Sequence, residues 1–438
     1  MKRANLAAIL MSTGLLLGTA AVRADDAPLP TAATQQAPPP RTWVDPDTGH
    51  RIWRLSDQAN SGPIYFNCNA YTPDGRDMVY LAPDGVRLLN LATRASRVVA
   101  PAGARVIQVG RASRTLYIGT QPEPGGEAAG LYAVNLDTAD RRRICDLPKR
   151  GRIDGINADE TLGIGYYIVG TAGHDYGEGA VKPAGLSGPM VQPLNKGKMM
   201  QERLDAHLPM VLFSADLKTG AQKILLNSTD WLNHILCSPT DPTLVMYCHE
   251  GGWTQVDRIW TIRTDGSHDQ LMHGRTMAGE IAGHEFWGQD GKTIWYDLQR
   301  PVGEDFFLAA VDLASGSRRW YHLARDEWSI HFNVNADATL MCGDGGDAGQ
   351  VARATDGKWI ELFRPELKKV AGLNGPDFIQ PGVLRSEHLV NMGRHNYRAE
   401  PNVRFTPDGT MVIYQSNAFG PSYLFGVEVG PASPPPAR

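Results

Sequence analysis

The chain has 438 residues, of which 42% are hydrophobic and 21% charged, and its formal net charge is −4. That composition describes a globular chain with an ordinary core, long enough for one large or two ordinary domains. The mildly acidic balance excludes a nucleic-acid partner, because phosphate contacts need clustered Lys and Arg.

Taken in chain order, Lys2 and Arg3 precede an apolar stretch from Leu6 to Ala21, closed by Val22-Arg23-Ala24. This is the pattern of a secretory signal peptide over residues 1–24, cleaved after Ala24. The apolar run is short of a full span and nothing later is apolar enough to cross a bilayer. The mature chain is therefore expected to be periplasmic or secreted, without stable membrane insertion. Residues 25–40 and 431–438 are rich in Pro and Ala and are expected to be a disordered linker and tail.

Residues 41–430 carry an internal repeat. Asp45 to Leu55 has the look of an outer hairpin without its inner strands. Then comes a recurring unit: an apolar strand, a turn with Pro or Asp, and a β-rich strand. The copies are Tyr71-Thr-Pro-Asp-Gly75, a degenerate Gly110-Arg-Ala-Ser113, Asn157-Ala-Asp159, Cys237-Ser-Pro-Thr-Asp241, Trp287-Gly-Gln-Asp-Gly291, Val334-Asn-Ala-Asp337 and Phe405-Thr-Pro-Asp-Gly409. A second hairpin follows in the copies from Tyr132 to Cys145, Leu212 to Leu225 and Leu308 to Leu323, with Asp near the turn and Gly in two of the three. Gly supplies the positive φ of tight turns. Four strands per copy make one propeller blade, so the sequence predicts an all-β, seven-bladed β-propeller. Asp45 to Leu55 then completes the last blade and removes a free edge. Longer spacings predict inserted loops near residues 170–208 and 366–395.

Inner strands of a propeller line its channel. Three residues before the turn, four consecutive copies carry His234, His284, His331 and Asn402. Glu400 precedes Asn402 by two and so faces the same side of an extended strand. His249 lies on the returning strand and is expected near His234 across the hairpin. Imidazoles with a carboxylate and an amide oxygen suit a divalent first-row metal; a water-filled polar channel is the alternative. The five cysteines form no disulfide framework. They read as buried thiols, with a single Cys237–Cys248 bridge as the other option. The basic stretch Lys196, Lys198 and Arg203 lies in the first insertion, where it either reaches an anion over the channel or is a solvated loop. There is no Gly-x-Ser-x-Gly motif, which argues against a serine hydrolase.

Trp231-Leu-Asn-His234, Cys248-His-Glu-Gly251, Gly283-His-Glu-Phe-Trp287, Leu340-Met-Cys-Gly-Asp-Gly345 and Phe405-Thr-Pro-Asp408 resemble the oligogalacturonate lyases, seven-bladed propeller lyases of pectin breakdown. The resemblance spans roughly residues 43–428. It implies β-elimination of short uronides to a 4,5-unsaturated uronate, a manganese-type divalent ion, and a channel histidine as base. His284 matches the family's metal histidine. The family's Gln-x-x-His-x-His stretch reads Tyr397-Arg-Ala-Glu400-Pro-Asn402 here, so Glu400 and Asn402 replace two histidines and His331 becomes a further metal candidate. His249 or His234 is the base this implies. Tyr397, Arg258 and Arg275 are the candidate substrate-binding residues, with structural ion pairs as the other reading of the two arginines. Two competing functions remain on sequence grounds: a non-enzymatic envelope propeller that binds a partner, and a lyase for another uronate-containing glycan.

Overall fold

The computed structural model describes residues 37–120, 128–170, 186, 188–354, 357–372, 375 and 377–431. The expected leader, residues 25–36 of the expected linker and residues 432–438 of the tail lie outside them.

The repeated turns are held by their own side chains. Thr72 Oγ1 donates to Asp74 Oδ1 at 2.6 Å, Asp74 accepts the Arg76 N–H, and Gly75 takes a φ of 68°. Near the other end of the chain Thr406 meets Asp408 at 2.6 Å and Gly409 has a φ of 70°. In the outer hairpins Asp216 accepts from the N–H groups of Lys218 and Thr219, and Asp312 from that of Ser315. Such local bonds fix a turn before any strand partner arrives.

The flanking apolar segments then pair into antiparallel sheets. Gly62–Pro63, Asp77–Ala82, Gly85–Asn90 and Ser96–Ala100 form one sheet, and Arg105–Val109, Thr115–Gly119, Gly130–Asn135 and Arg141–Asp146 a second. Gly151–Ile156, Leu162–Ile168, Met210–Asp216 and Gln222–Ser228 form a third, and Trp231–Cys237, Leu244–Glu250, Ile259–Arg263 and Gln270–Leu271 a fourth. An eight-stranded sheet follows. One antiparallel half is Ile281–Trp287, Thr293–Gln299, Phe306–Asp312 and Arg318–His322; the other is Phe332–Val334, Met341–Gly343, Trp359–Leu367 and Ile379–Asn391. The halves join where Arg318–His322 runs parallel to Ile379–Asn391. In the last sheet Thr42–Val44 and His50–Arg54 add to Tyr423–Pro431, Met411–Ser416 and Arg404–Phe405, so the two ends of the described chain share five strands, as expected. The result is all-β and consistent with a β-propeller.

Apolar faces fill the space between sheets. Trp295, Phe306, Trp328, Phe332 and Phe363 are each at most 1% exposed and belong to one cluster. Burying a large apolar side chain contributes about 1.5–3 kcal/mol.

Three expectations need correction. The segment near 366–395 is largely a long hairpin, Trp359–Leu367 with Ile379–Asn391, because it finds a partner in Arg318–His322. The segment near 170–208 contains a helix, Lys196–Ala206. The linker's end is tied down, since Arg54 Nε donates to the buried Pro39 carbonyl at 2.9 Å. Of the two readings of the cysteines, the free thiols hold and the bridge does not form: Cys237 faces Val245 and Cys248 faces Asn233 in the hairpin, and all five thiols are free, with Cys68 and Cys145 half-buried.

Candidate active site

Three of the four aligned channel positions share an unusual backbone. The strand Trp231–Cys237 slips register between Asn233 and Leu236, and His234 in the slip has a φ of 46°. Ile281–Trp287 slips between Gly283 and Phe286, and His284 has a φ of 44°. Asn402, just before its short inner strand, has a φ of 57°. A left-handed residue other than glycine costs about 1–2 kcal/mol. Bulges of this kind re-aim a side chain and gather at functional sites. Gly283 is required beside His284: a Cβ there would lie 2.5 Å from the Trp253 ring, which packs 5.0 Å from the imidazole.

The rings of His284 and His331 lie 4.8 Å apart, with Phe66 4.6 Å from His331. His331 Nδ1 is 2.7 Å from Asp344 Oδ2 and His284 Nδ1 is 3.2 Å from Asp297 Oδ2, all four side chains being buried. A carboxylate at Nδ1 holds the proton there and leaves Nε2 as a lone pair, the usual support behind a metal-binding histidine. His331 Nε2 is buried without a hydrogen-bond partner, 3.6 Å from Glu400 Oε2. Glu400 in turn accepts from Gln192 Nε2 at 2.7 Å. Burial, with His331 next, holds the His284 pKa well below the usual histidine range. For His331 burial acts downward, but Asp344 and Glu400 outweigh it and raise the pKa. Asp297 is pushed up to about 7 by burial, partly offset by Arg258.

Among the described residues no three His, Cys, Asp or Glu side chains already form a metal cluster. The donor types nevertheless fit a first-row divalent ion: the two imidazoles of His284 and His331 with Nδ1 tied back, the latter with an unpartnered Nε2, and the Glu400 carboxylate. Asn402 is committed elsewhere. Its Oδ1 accepts the Phe66 N–H at 3.1 Å and its Nδ2 donates to the Glu400 carbonyl at 3.1 Å, so it supports the site rather than facing it.

His234 is half-buried, with its ring 5.6 Å from that of Tyr65. Burial first, then Arg258, lowers its pKa, so it is neutral at physiological pH. Arg258 Nε pairs with Glu285 at 3.0 Å, both side chains at most 3% exposed. It is a buried support for this wall, although its Nη1 has no partner.

Three candidates are not brought to the site. His249 pairs in register with Leu232, and the bulge removes His234 from the facing position. Its ring packs instead 5.4 Å from Tyr247 and 5.5 Å from Trp260. Arg275 is held in a loop by Asp257 at 3.0 Å and donates to the Thr254 carbonyl. Tyr397 is fully buried, packed against His395 at 4.9 Å and close to Gly345, because its neighbours Arg398 and Glu400 take the cavity side.

A cavity of about 480 Å³ opens over His284 and Glu400 and is also lined by Lys196, Trp253, Arg353 and Arg398. Lys196 comes from the inserted helix, so this end of the basic stretch lines the cavity. Arg203 instead pairs with Glu250 at 2.6 Å, and Lys198 with Glu202 at 3.5 Å. Arg353 and Arg398, exposed and without a carboxylate partner among the described residues, were not singled out from sequence. Asp297 and Asp344 were also missed, although a signal existed: each lies 13 residues after its histidine, across the hairpin.

The oligogalacturonate lyase family model matches residues 186–433, a stretch that includes every side chain just named except Tyr65 and Phe66. The chain belongs to the oligogalacturonate lyase family. It is 28% identical over 249 residues to the oligogalacturonate lyase of Dickeya dadantii (strain 3937) and to the oligogalacturonide lyase of Pectobacterium atrosepticum. The match covers 54% of this chain and 60% of each relative, less than two thirds of their length. An oligogalacturonate lyase solved in complex with manganese shares the fold, with a TM-score of 0.68, 22% identity, and coverage of 89% of this chain and 96% of that one. The oligogalacturonate lyase of Vibrio parahaemolyticus superposes with a TM-score of 0.67 at 21% identity over the same shares.

Proposed function

We propose that this member of the family cleaves short oligogalacturonides by β-elimination in the cavity over His284 and Glu400. The observation that carries the reading is the division among the histidines. His284 and His331 each have Nδ1 tied to a buried carboxylate, while His234 has none and keeps a depressed pKa. The first two suit a divalent ion of the manganese type, with Glu400 as the third donor; the last suits a general base. The manganese in the structurally similar lyase supports the choice of ion.

Bound there, the ion would stabilise the negative charge that develops on the uronate carboxylate as C5 loses its proton. His234 accepts that proton. The electron pair forms the C4=C5 double bond, and the O4-linked sugar departs and takes a proton from solvent, leaving a 4,5-unsaturated uronate. Lys196, Arg353 and Arg398 hold the carboxylates of neighbouring uronates, the arginines bidentately, and Trp253 offers a flat apolar face to a sugar ring.

The sheets support a seven-bladed ring, with the two halves of the eight-stranded sheet as separate blades and Thr42–Val44 with His50–Arg54 closing the last. Chelator-stripped protein should regain the ultraviolet absorbance of conjugated product from oligogalacturonides when manganese is returned. Equal activity of stripped and loaded protein would remove the ion from the account. Export by the residue 1–24 leader belongs to the same reading. Sequencing protein recovered from the cell envelope should start at Asp25, and an intact Met1 would refute it.

A further inference from the structure

The inner strands end in the Thr-Pro-Asp-Gly turns, and a second space opens there. A cavity of about 330 Å³ is lined by Tyr71, Asp74, Arg111, Asn333 and Phe405 among others. It shares Tyr71, Arg111, Asn333 and Phe405 with a deeper recess of about 60 Å³ that reaches Phe66 and Arg404. No lining residue is common to this space and the cavity over His284. Phe66 lies between them, its ring 4.6 Å from His331 on one side and in the wall of the recess on the other.

This space is rich in donors and short of acceptors. Arg404 is 2% exposed and its terminal nitrogens donate to neutral carbonyls, those of Ile64 and Tyr65 at 2.6 Å and of Cys68 at 2.9 Å. Its Nε is buried with no acceptor, and so is the Tyr71 hydroxyl. Arg111 has neither a hydrogen bond nor an ion pair among the described residues. Burial lowers its pKa only to about 10, so it stays cationic. The thiols of Cys68 and Cys237 act on it, but burial pushes them up to about 11 and about 12, so both are neutral.

The polar neighbours do not neutralise the two cations. The Asn69 amide serves Tyr71 and Val109, and the Gln108 amide serves Ile156. The rim carboxylate of Asp74 is taken by Thr72 at 2.6 Å and by Arg114 at 3.5 Å. A buried cation without a counter-charge is costly, and guanidinium groups recognise oxyanions in particular.

We propose that this turn-side mouth is a second ligand site, which binds a small oxyanion between the Arg111 guanidinium, Arg404 Nε and the Tyr71 hydroxyl. The recess admits the oxyanion head, and the outer cavity has room for a single sugar ring. The head is either a carboxylate, as on a uronic acid, or a phosphate.

The test is thermal unfolding of the full chain in inorganic phosphate, in galacturonate and in chloride, at matched ionic strength. Wild type should unfold at a higher temperature in at least one oxyanion than in chloride, by mass action on the folded state. Stabilisation by phosphate alone assigns a phosphate-type ligand, and by galacturonate alone a uronate. Arg111→Gln should fold normally in chloride, since the residue has no partner to lose, but should lose the oxyanion-specific rise. Tyr71→Phe should weaken it, and Arg398→Gln, in the other cavity, should retain the part that Arg111→Gln removes. No oxyanion-specific rise in wild type, or an equal rise in Arg111→Gln, overturns the proposal.

Discussion

His284 and His331 each reach a carboxylate 13 residues further on, because the second strand of the hairpin returns past the inner one at that spacing. In the neighbouring copies the same spacing leads from His234 to Tyr247, whose hydroxyl goes to Asp269, and from Asn402 to Gln415, which bonds the Glu400 carbonyl. One backbone device therefore yields two ligand-type histidines, a histidine without a carboxylate, and a structural amide. Glu250 supports the wall next to His234. It accepts from Arg203 at 2.6 Å and from Asn233 at 3.0 Å. Burial would raise its pKa, but Arg203 and then Arg258 lower it from 4.5 to about 2. A carboxylate depressed on folding stabilises the protein fully above its unfolded pKa and loses that contribution as pH falls through the folded one. Glu250→Gln should therefore reduce stability near neutrality and flatten its decline between about pH 4.5 and pH 2. Denaturant titrations at several pH values check this, and an unchanged acid profile would contradict it. The aligned histidines were legible because they repeat at a fixed distance from a turn. The orientation of His249 was not legible, since a one-residue bulge changes which side chain faces which and leaves no mark in composition. Burial of Tyr397 and capture of Arg275 by Asp257 likewise depend on non-local packing.

At the level of elements, Asp, Thr and Gly at fixed offsets made the hairpins readable, because each turn is satisfied locally. The closing strands were readable for the complementary reason, an orphan hairpin that needs inner strands from elsewhere. The helix Lys196–Ala206 gave no apolar stripe to read; Met200 is its one buried residue. The parallel pairing of Arg318–His322 with Ile379–Asn391 joins segments far apart in sequence, which local pattern cannot announce. Closure should carry much of the stability. Ile52 is 1% exposed and packs in one cluster with Phe425 and Val427 from the chain's last strand. Ile52→Ala should cost about 2–5 kcal/mol by cavity formation, seen as a lower midpoint in chemical denaturation. A loss below about 1 kcal/mol would show that the N-terminal strands are dispensable to the ring.

On the scale of the molecule, two polar spaces that share no lining residue differ in chemistry. The larger holds His284, Glu400 and the basic side chains of Lys196, Arg353 and Arg398; the other gathers Arg111 and Arg404 without free carboxylates. The family match, over residues 186–433, includes His284, His331 and Glu400, and His284 and Glu400 line a cavity together with Lys196, Arg353 and Arg398. The most direct test of the central claim follows the absorbance of the conjugated double bond as oligogalacturonides are incubated with manganese-loaded wild type, His234→Ala and His249→Ala. Wild type should give product, His234→Ala should turn over roughly 10²–10⁴-fold more slowly with its manganese retained, and His249→Ala should be near normal. No conjugated product from wild type would contradict the lyase assignment, and an unimpaired His234→Ala would contradict the choice of base.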